Sequence, residues 1–295
     1  MRERGGADAT RVFAAGYDGS DAARSGLVRA AQLAGPGGRV AVVVAAPLLF
    51  RVGNGEPAGE QAPAPDELAA EAVELLGRLG VDAESVVSPL EPADALLEAA
   101  RDLRAELLVV GTRGRGRAAR AVLGSVSTAA LHHSPCDVLV VRPGPDLADR
   151  EAPPDWPQSV LVAYDASPWA ERALERATEL VRPGGAICLA HATPPRARRA
   201  RAAVARAALQ KARDRLAASE LSVDVLELEG DPASAIAEAA RTCGADLLVV
   251  GSRSRGPAMR LILGSVSTAI VHRAEQDVLV VRRARSARLG PSREG

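Results

Sequence analysis

Short apolar runs alternate with amphipathic stretches along the whole chain. In the first half, residues 11–17 form an apolar run that ends in Asp18-Gly19-Ser20-Asp21. Ser20 stands where it can cap a helix over about 21–34, and the Gly35-Pro36-Gly37-Gly38 cluster stops that helix. Residues 40–45 are continuously apolar and predict a buried strand. A Gly- and Pro-rich loop (47–65) leads to a helical pattern at 66–79, a strand at 83–87 and a helix at 92–103. Strands at 107–110 and 138–141 complete the half, with a loop and a further helix between them.

The second half repeats this order. A strand at 160–164 leads to Asp165-Ala166-Ser167-Pro168, with Ser167 as the cap and Pro168 in the first helical turn. Then come a strand at 186–190, an Arg/Ala-rich helix near 197–219, a strand at 223–228, a helix at 232–243, and strands at 247–250 and 278–281. Strands alternating with helices imply right-handed crossovers and a parallel sheet. The fold class is therefore α/β: two tandem doubly wound domains, each a five-stranded parallel sheet of order 3-2-1-4-5 with helices on both faces. In that order the chain reverses between strands 1 and 4, and a crevice opens at their carboxyl ends. Asp18 and Gly111 both fall there.

The duplication is explicit. Residues 107–142 and 247–282 align without a gap and are identical at about two-thirds of positions, far beyond a shared composition bias. The predicted organisation is a first domain over 1–143, a linker over 144–157, a second domain over 158–283 and a disordered tail over 284–295. The stretch from Pro143 to Gln158 carries five prolines and several acids, which suits a boundary.

Composition removes several alternatives. Aromatics are 2% of the chain against 47% hydrophobic residues, so the cores are built from Val, Leu, Ile and Ala. Formal net charge is zero, which gives no global pull towards nucleic acid or an anionic membrane. Lys211 is the sole lysine and no GxxxxGK[ST] occurs, so the Walker-type NTPase design is excluded. Cys136, Cys188 and Cys243 are odd in number and show no paired spacing; they read as small core residues of a reduced, cytoplasmic protein, not a disulfide framework or zinc site. The apolar run at 40–50 is too short to span a bilayer, and the N-terminus has no signal-peptide pattern.

The chemistry concentrates in the repeat. Gly111 and Gly114 are followed after nine residues by Gly124-Ser125; the second copy reads Gly251, Ser254, nine residues, then Gly264-Ser265. Glycines let a backbone adopt positive φ and let its amides approach a phosphate without an intervening Cβ. Gly124-Ser125-Val126-Ser127 opens a helix, whose unpaired N–H groups attract anions. A site built from backbone amides needs no lysine.

The strand-Asp start, the G-2x-G-9x-G-[ST] loop and the closing D-V-L-V-V strand together resemble the universal stress protein family, in its ATP-binding form, arranged as a tandem pair over nearly the whole chain. The resemblance implies that Asp18 and Asp165 contact the adenosine end of a nucleotide. It puts Ala45 and Ala192 against the adenine, and Val110 and Val250 near the ribose or base. Gly111, Gly114, Gly124, Ser125, Val126 and Ser127 match the phosphate loop; Gly251, Gly264, Ser265, Val266 and Ser267 are the second-copy counterparts. It also implies that strands 138–141 and 278–281 pair the two domains about a pseudo-twofold axis. Ser254 departs from the signature, so the second site is expected to hold ATP more weakly than the first, or to stay empty.

The expected function is stress-response regulation through ATP, with or without Mg²⁺, and a regulatory protein partner. No nucleic acid, membrane, catalytic residue or metal site is implied, and a homodimer stays open. Two other readings stay open beside it. One is a slow ATP hydrolase or nucleotidyl-transferring enzyme on the same fold; the other is a nucleotide-free interaction module. His132, His133 and His272 are expected to face away from the crevice. His191 adjoins Ala192, but Val44 takes its place in the first copy, so a His-dependent role at both sites is excluded.

Overall fold

The computed structural model describes residues 11–35, 37–47, 63–112, 123–144, 155–194, 199–252 and 263–282. The first half runs β1 (Val12–Gly16), α1 (Asp21–Ala34), β2 (Arg39–Ala45), α2 (Pro65–Arg78), β3 (Asp82–Ser88), α3 (Pro92–Asp102), β4 (Leu107–Gly111), α4 (Ser125–His133) and β5 (Asp137–Val141). The second half runs β6 (Ser159–Ala163), α5 (Pro168–Leu180), β7 (Ala186–Thr193), α6 (Arg199–Leu216), β8 (Ser222–Glu229), α7 (Pro232–Thr242), β9 (Leu247–Gly251), α8 (Ser265–Arg273) and β10 (Asp277–Val281). These are the predicted elements, with ends shifted by a few residues. The expected tail at 284–295 lies outside the described residues.

Local chemistry sets the helix starts. Ser20 caps α1 and Ser167 caps α5, each accepting the N–H three residues on (Ala23 at 3.3 Å, Ala170 at 3.1 Å). Pro65, Pro92, Pro168 and Pro232 stand in the first turns of their helices, where a missing N–H removes no hydrogen bond. β7 runs beyond its predicted end because β8 pairs with it throughout, Thr193 lying opposite Glu229.

All strands join one ten-stranded sheet of order β3-β2-β1-β4-β5-β10-β9-β6-β7-β8. Pairing is parallel within each half, in the predicted order 3-2-1-4-5. The halves meet where β5 and β10 pair antiparallel, Leu139 opposite Leu279 and Val138 opposite Val280. Alternate residues of these strands enter opposite faces of the sheet. Leu139, Val141, Leu279 and Val281 join the core under α1, α2, α5 and α6; Val138, Val140, Val278 and Val280 join the core under α3, α4, α7 and α8. Each core therefore runs through both halves without a break.

Polar pairs repeat across the seam. The Arg142 N–H donates to Asp277 Oδ1 and the Arg282 N–H to Asp137 Oδ1, each at 2.8 Å. Arg29 Nε lies 2.9 Å from Asp277 Oδ2, and Arg176 Nε lies 3.4 Å from Asp137 Oδ2. Burial pushes both aspartates above the ordinary carboxylate range, against the pull of these cations and amides.

Candidate functional site

The carboxyl ends of β1, β2 and β4 enclose a cavity of about 430 Å³ in the first half, within the range of small-molecule sites. Val43, Val44 and Ala45 from β2 and Val110 from β4 form its apolar floor. Tyr17 and Asp18 edge it beyond β1, and Gly124 to Ser127 close it with the start of α4. Thus Asp18, Ala45, Val110, Gly111, Gly124, Ser125, Val126 and Ser127, scattered in sequence, converge on one cavity. Gly114, Ser254 and the arginines of both loops (Arg113, Arg115, Arg117, Arg120, Arg253, Arg255, Arg260) lie outside the described residues.

Asp18 is held in place. Its Oδ1 accepts both the Ser20 N–H (3.0 Å) and the Ser20 hydroxyl (2.6 Å), and Ser20 in turn caps α1. The chain reverses here through Gly19 at φ 76°. In the second half Asp165 Oδ1 accepts the Ser167 N–H at 2.9 Å, but Ala166 makes the same turn at φ 56°, a conformation that a Cβ disfavours.

The start of α4 supplies donors. The Thr128 N–H bonds back to the Gly124 carbonyl at 3.0 Å, so the amides of Ser125, Val126 and Ser127 precede the first intrahelical bond. They edge the cavity with the positive end of the helix dipole behind them.

Several loop residues owe their identity to reasons other than the expected ones. Gly124 (φ −69°) and Gly264 (φ −64°) are not left-handed. Their N–H groups are spent on the Thr112 and Ser252 carbonyls at 2.9 and 2.8 Å, so neither amide is free for a phosphate. Gly111 is needed for packing: a Cβ there would lie 2.8 Å from Ala22 Cβ, because α1 starts directly over the end of β4. Gly251 meets the Trp169 backbone at 2.8 Å in the same way. The hydroxyls of Ser127 and Ser267 are buried and donate to the Gly111 and Gly251 carbonyls, each at 2.7 Å. Those hydroxyls pin the strand end to the helix start, leaving the backbone amides as the groups a ligand can use.

In the second half the counterparts stand at the same element ends. Asp165 follows β6, Ala192 lies in β7, Val250 and Gly251 end β9, and Gly264, Ser265, Val266 and Ser267 open α8. One addition has no first-half equivalent: His191 Nδ1 lies 2.9 Å from the Tyr164 carbonyl. Glu171 hydrogen-bonds Tyr164, and Arg215 Nη2 reaches Glu171 at 2.6 Å. Burial raises the Glu171 carboxyl, but these two hydrogen bonds outweigh it and hold it below the ordinary range.

Sequence reasoning missed part of the lining. Tyr17, Leu68, Pro92 and Leu96 also face the cavity, and burial pushes the Tyr17 hydroxyl up to about 12. Pro65 and Pro92 carried a usable signal, since each opens a helix from the loop rim. Of the cysteines expected in the core, Cys188 is buried there and Cys136 is half-buried against it, whereas Cys243 is exposed.

Fold and crevice together define a class: a tandem α/β protein with an apolar-walled pocket at the strand-reversal point, fronted by main-chain donors at a helix tip. The sequence model described as the universal stress protein family matches residues 10–142 and 157–282. The chain belongs to the universal stress protein family. A universal stress protein of Mycobacterium tuberculosis (strain H37Rv) is 32% identical over 229 residues, covering 74% of this chain and 74% of that protein. One from Thermus aquaticus is 38% identical over 133 residues, covering 43% of this chain and 94% of that protein. The crystal structure of a universal stress protein from Archaeoglobus fulgidus has the same fold (TM-score 0.65, 24% identity), covering 93% of this chain and 97% of that one. Among the described residues, no helix is long and apolar enough to cross a membrane.

Proposed function

We propose that the protein binds an adenine nucleotide, ATP foremost, and that the bound state signals to a regulatory protein partner in the cytoplasmic stress response. The observation that carries this reading is the first turn of α4, whose amides edge a cavity that has an apolar floor on one side and Asp18 on the other. The base lies against Val43, Ala45 and Val110, away from water. The ribose hydroxyls donate to Asp18, which Ser20 has already oriented. The phosphates take the Ser125 and Val126 amides and the Ser125 hydroxyl, without any lysine.

Binding rather than turnover is the better-supported activity. Asp18 is the one carboxylate among the described lining residues, and Ser20 occupies one of its oxygens. It is poorly provided to act as a base or to hold a metal, so Mg²⁺ enters on the nucleotide.

The test is to denature freshly purified protein, identify any released nucleotide by mass, and titrate the nucleotide-free chain with ATP by calorimetry. Asp18→Ala is expected to weaken binding at the first site about tenfold or more, the loss of a charge-assisted hydrogen bond. Equal affinity in Asp18→Ala and the parent protein would overturn the assignment. Steady phosphate release would replace it with the hydrolase reading.

A further inference from the structure

The arginine that follows each seam strand reaches across to the other half and grips the end of a helix. Arg282, beyond β10, lays its guanidinium on the last turn of α4. Its Nη2 donates to the Leu131 carbonyl at 2.7 Å and the His132 carbonyl at 3.1 Å, and its Nη1 donates to the Ser134 carbonyl. Arg142, beyond β5, treats α8 in the same way. Its Nη2 donates to the Val271 carbonyl at 2.6 Å and its Nε to the Gln276 carbonyl at 3.2 Å. Leu131 and Val271 hold the same place in the two repeats. The contact is made twice, and it crosses the seam both times.

The last carbonyls of a helix lack an intrahelical donor. In α4 the Ser134 N–H takes the Ala130 carbonyl, and Arg282 takes the next two. A cation there also suits the negative end of the helix dipole. Arg282 is itself held, since its own N–H donates to Asp137 in β5 at 2.8 Å. α4 needs such a hold: it has nine residues and buries Ser127, Ala130 and Leu131, a narrow apolar footing. The Ser127 hydroxyl pins the first turn to the Gly111 carbonyl, and Arg282 pins the last. A helix of this length is a rod about 13 Å long, so slack at one end displaces the other. The far end carries the Ser125, Val126 and Ser127 amides at the cavity.

We propose that Arg282 is a positioning residue for the first-half cavity: through it, the second half sets where the donor tip of α4 stands. This role rests on the nucleotide reading of that cavity and adds which part of the ligand feels the other half. Arg282 does not itself line the cavity. The phosphates, which use the amides of α4, depend on it; the nucleoside, which uses Asp18, Ala45 and Val110, does not.

The experiment takes the full chain with isotope-labelled valine nitrogens, freed of nucleotide, and compares Arg282→Met with the parent protein by nuclear magnetic resonance. ATP is followed at the Val126 amide and adenosine at the Val43 and Val110 amides, all three residues being in the cavity lining. Arg282→Met keeps an apolar stem and is expected to weaken ATP about tenfold while leaving adenosine unchanged, the mark of a displaced phosphate site. Arg282→Lys, which keeps the charge but not the planar fork, should show the same split at smaller size. Arg142→Met, the matching change on the other side of the seam, should leave the ATP response of Val126 as it is in the parent. Unchanged ATP affinity in both Arg282 variants, an equal loss of ATP and adenosine, or the same loss in Arg142→Met overturns the positioning role while the parent still binds. Failure of ATP to shift Val126 in the parent sinks the nucleotide reading, and this role with it.

Discussion

Ala166 holds a backbone conformation that Gly19 adopts freely in the other half. With φ at 56°, its Cβ crowds the following peptide, so Ala166→Gly is expected to stabilise the protein by up to about 1 kcal/mol despite the added chain freedom of glycine. Gly19→Ala should cost a similar amount. Denaturant midpoints measured on the two variants check this, and shifts of the same sign would contradict it. A second residue pair separates scaffold from ligand contact. Ser127→Ala leaves the half-buried Gly111 carbonyl without its hydroxyl donor and should cost about 1–3 kcal/mol of stability. Ser125→Ala should leave stability nearly unchanged and weaken nucleotide binding, so melting and titration together distinguish the two serines. At this scale the sequence was only partly legible. Asp18 stood out because it ends an apolar strand in both copies. Gly111 was noticed for the wrong reason, since the requirement for it comes from α1 crossing over β4, which no local pattern encodes. Tyr17 and Leu96 escaped because an apolar or aromatic residue reads as core whether or not it borders a cavity.

At the scale of elements, β6, α5 and α6 are linked through Tyr164, Glu171 and Arg215. The folded protein holds the Glu171 carboxyl below its ordinary value. Its contribution is therefore present above the unfolded-state value of about 4.3 and is lost as pH falls through the lower folded value. Glu171→Gln should reduce stability at pH 7 and flatten the acid limb of the stability profile; urea unfolding from pH 7 to pH 3 measures both. An acid limb as steep as the parent's would rule out this carboxylate as a contributor. Element order and type were legible throughout, because alternating apolar runs and cap residues are local signals. The added length of β7 was not, since it depends on pairing with β8, which sequence periodicity does not report.

The whole molecule is one sheet with two cores, each crossing the seam between β5 and β10. Both seam strands are fully buried, so a half expressed alone would expose an apolar edge strand. Residues 1–142 produced by themselves should pair through β5 into a dimer, and light scattering reads the mass; a well-behaved monomer would show that the seam is dispensable. The antiparallel register at that seam carries one more consequence. Because the strands of one half point opposite to those of the other, the first-half cavity and the matching strand ends of the second half lie at opposite ends of the sheet, separated by at least a strand length of about 17 Å. No single small ligand can bridge them. Ligands held in the two halves would not collide, and any coupling between them would run through the shared strands and the arginine–aspartate pairs that lock them.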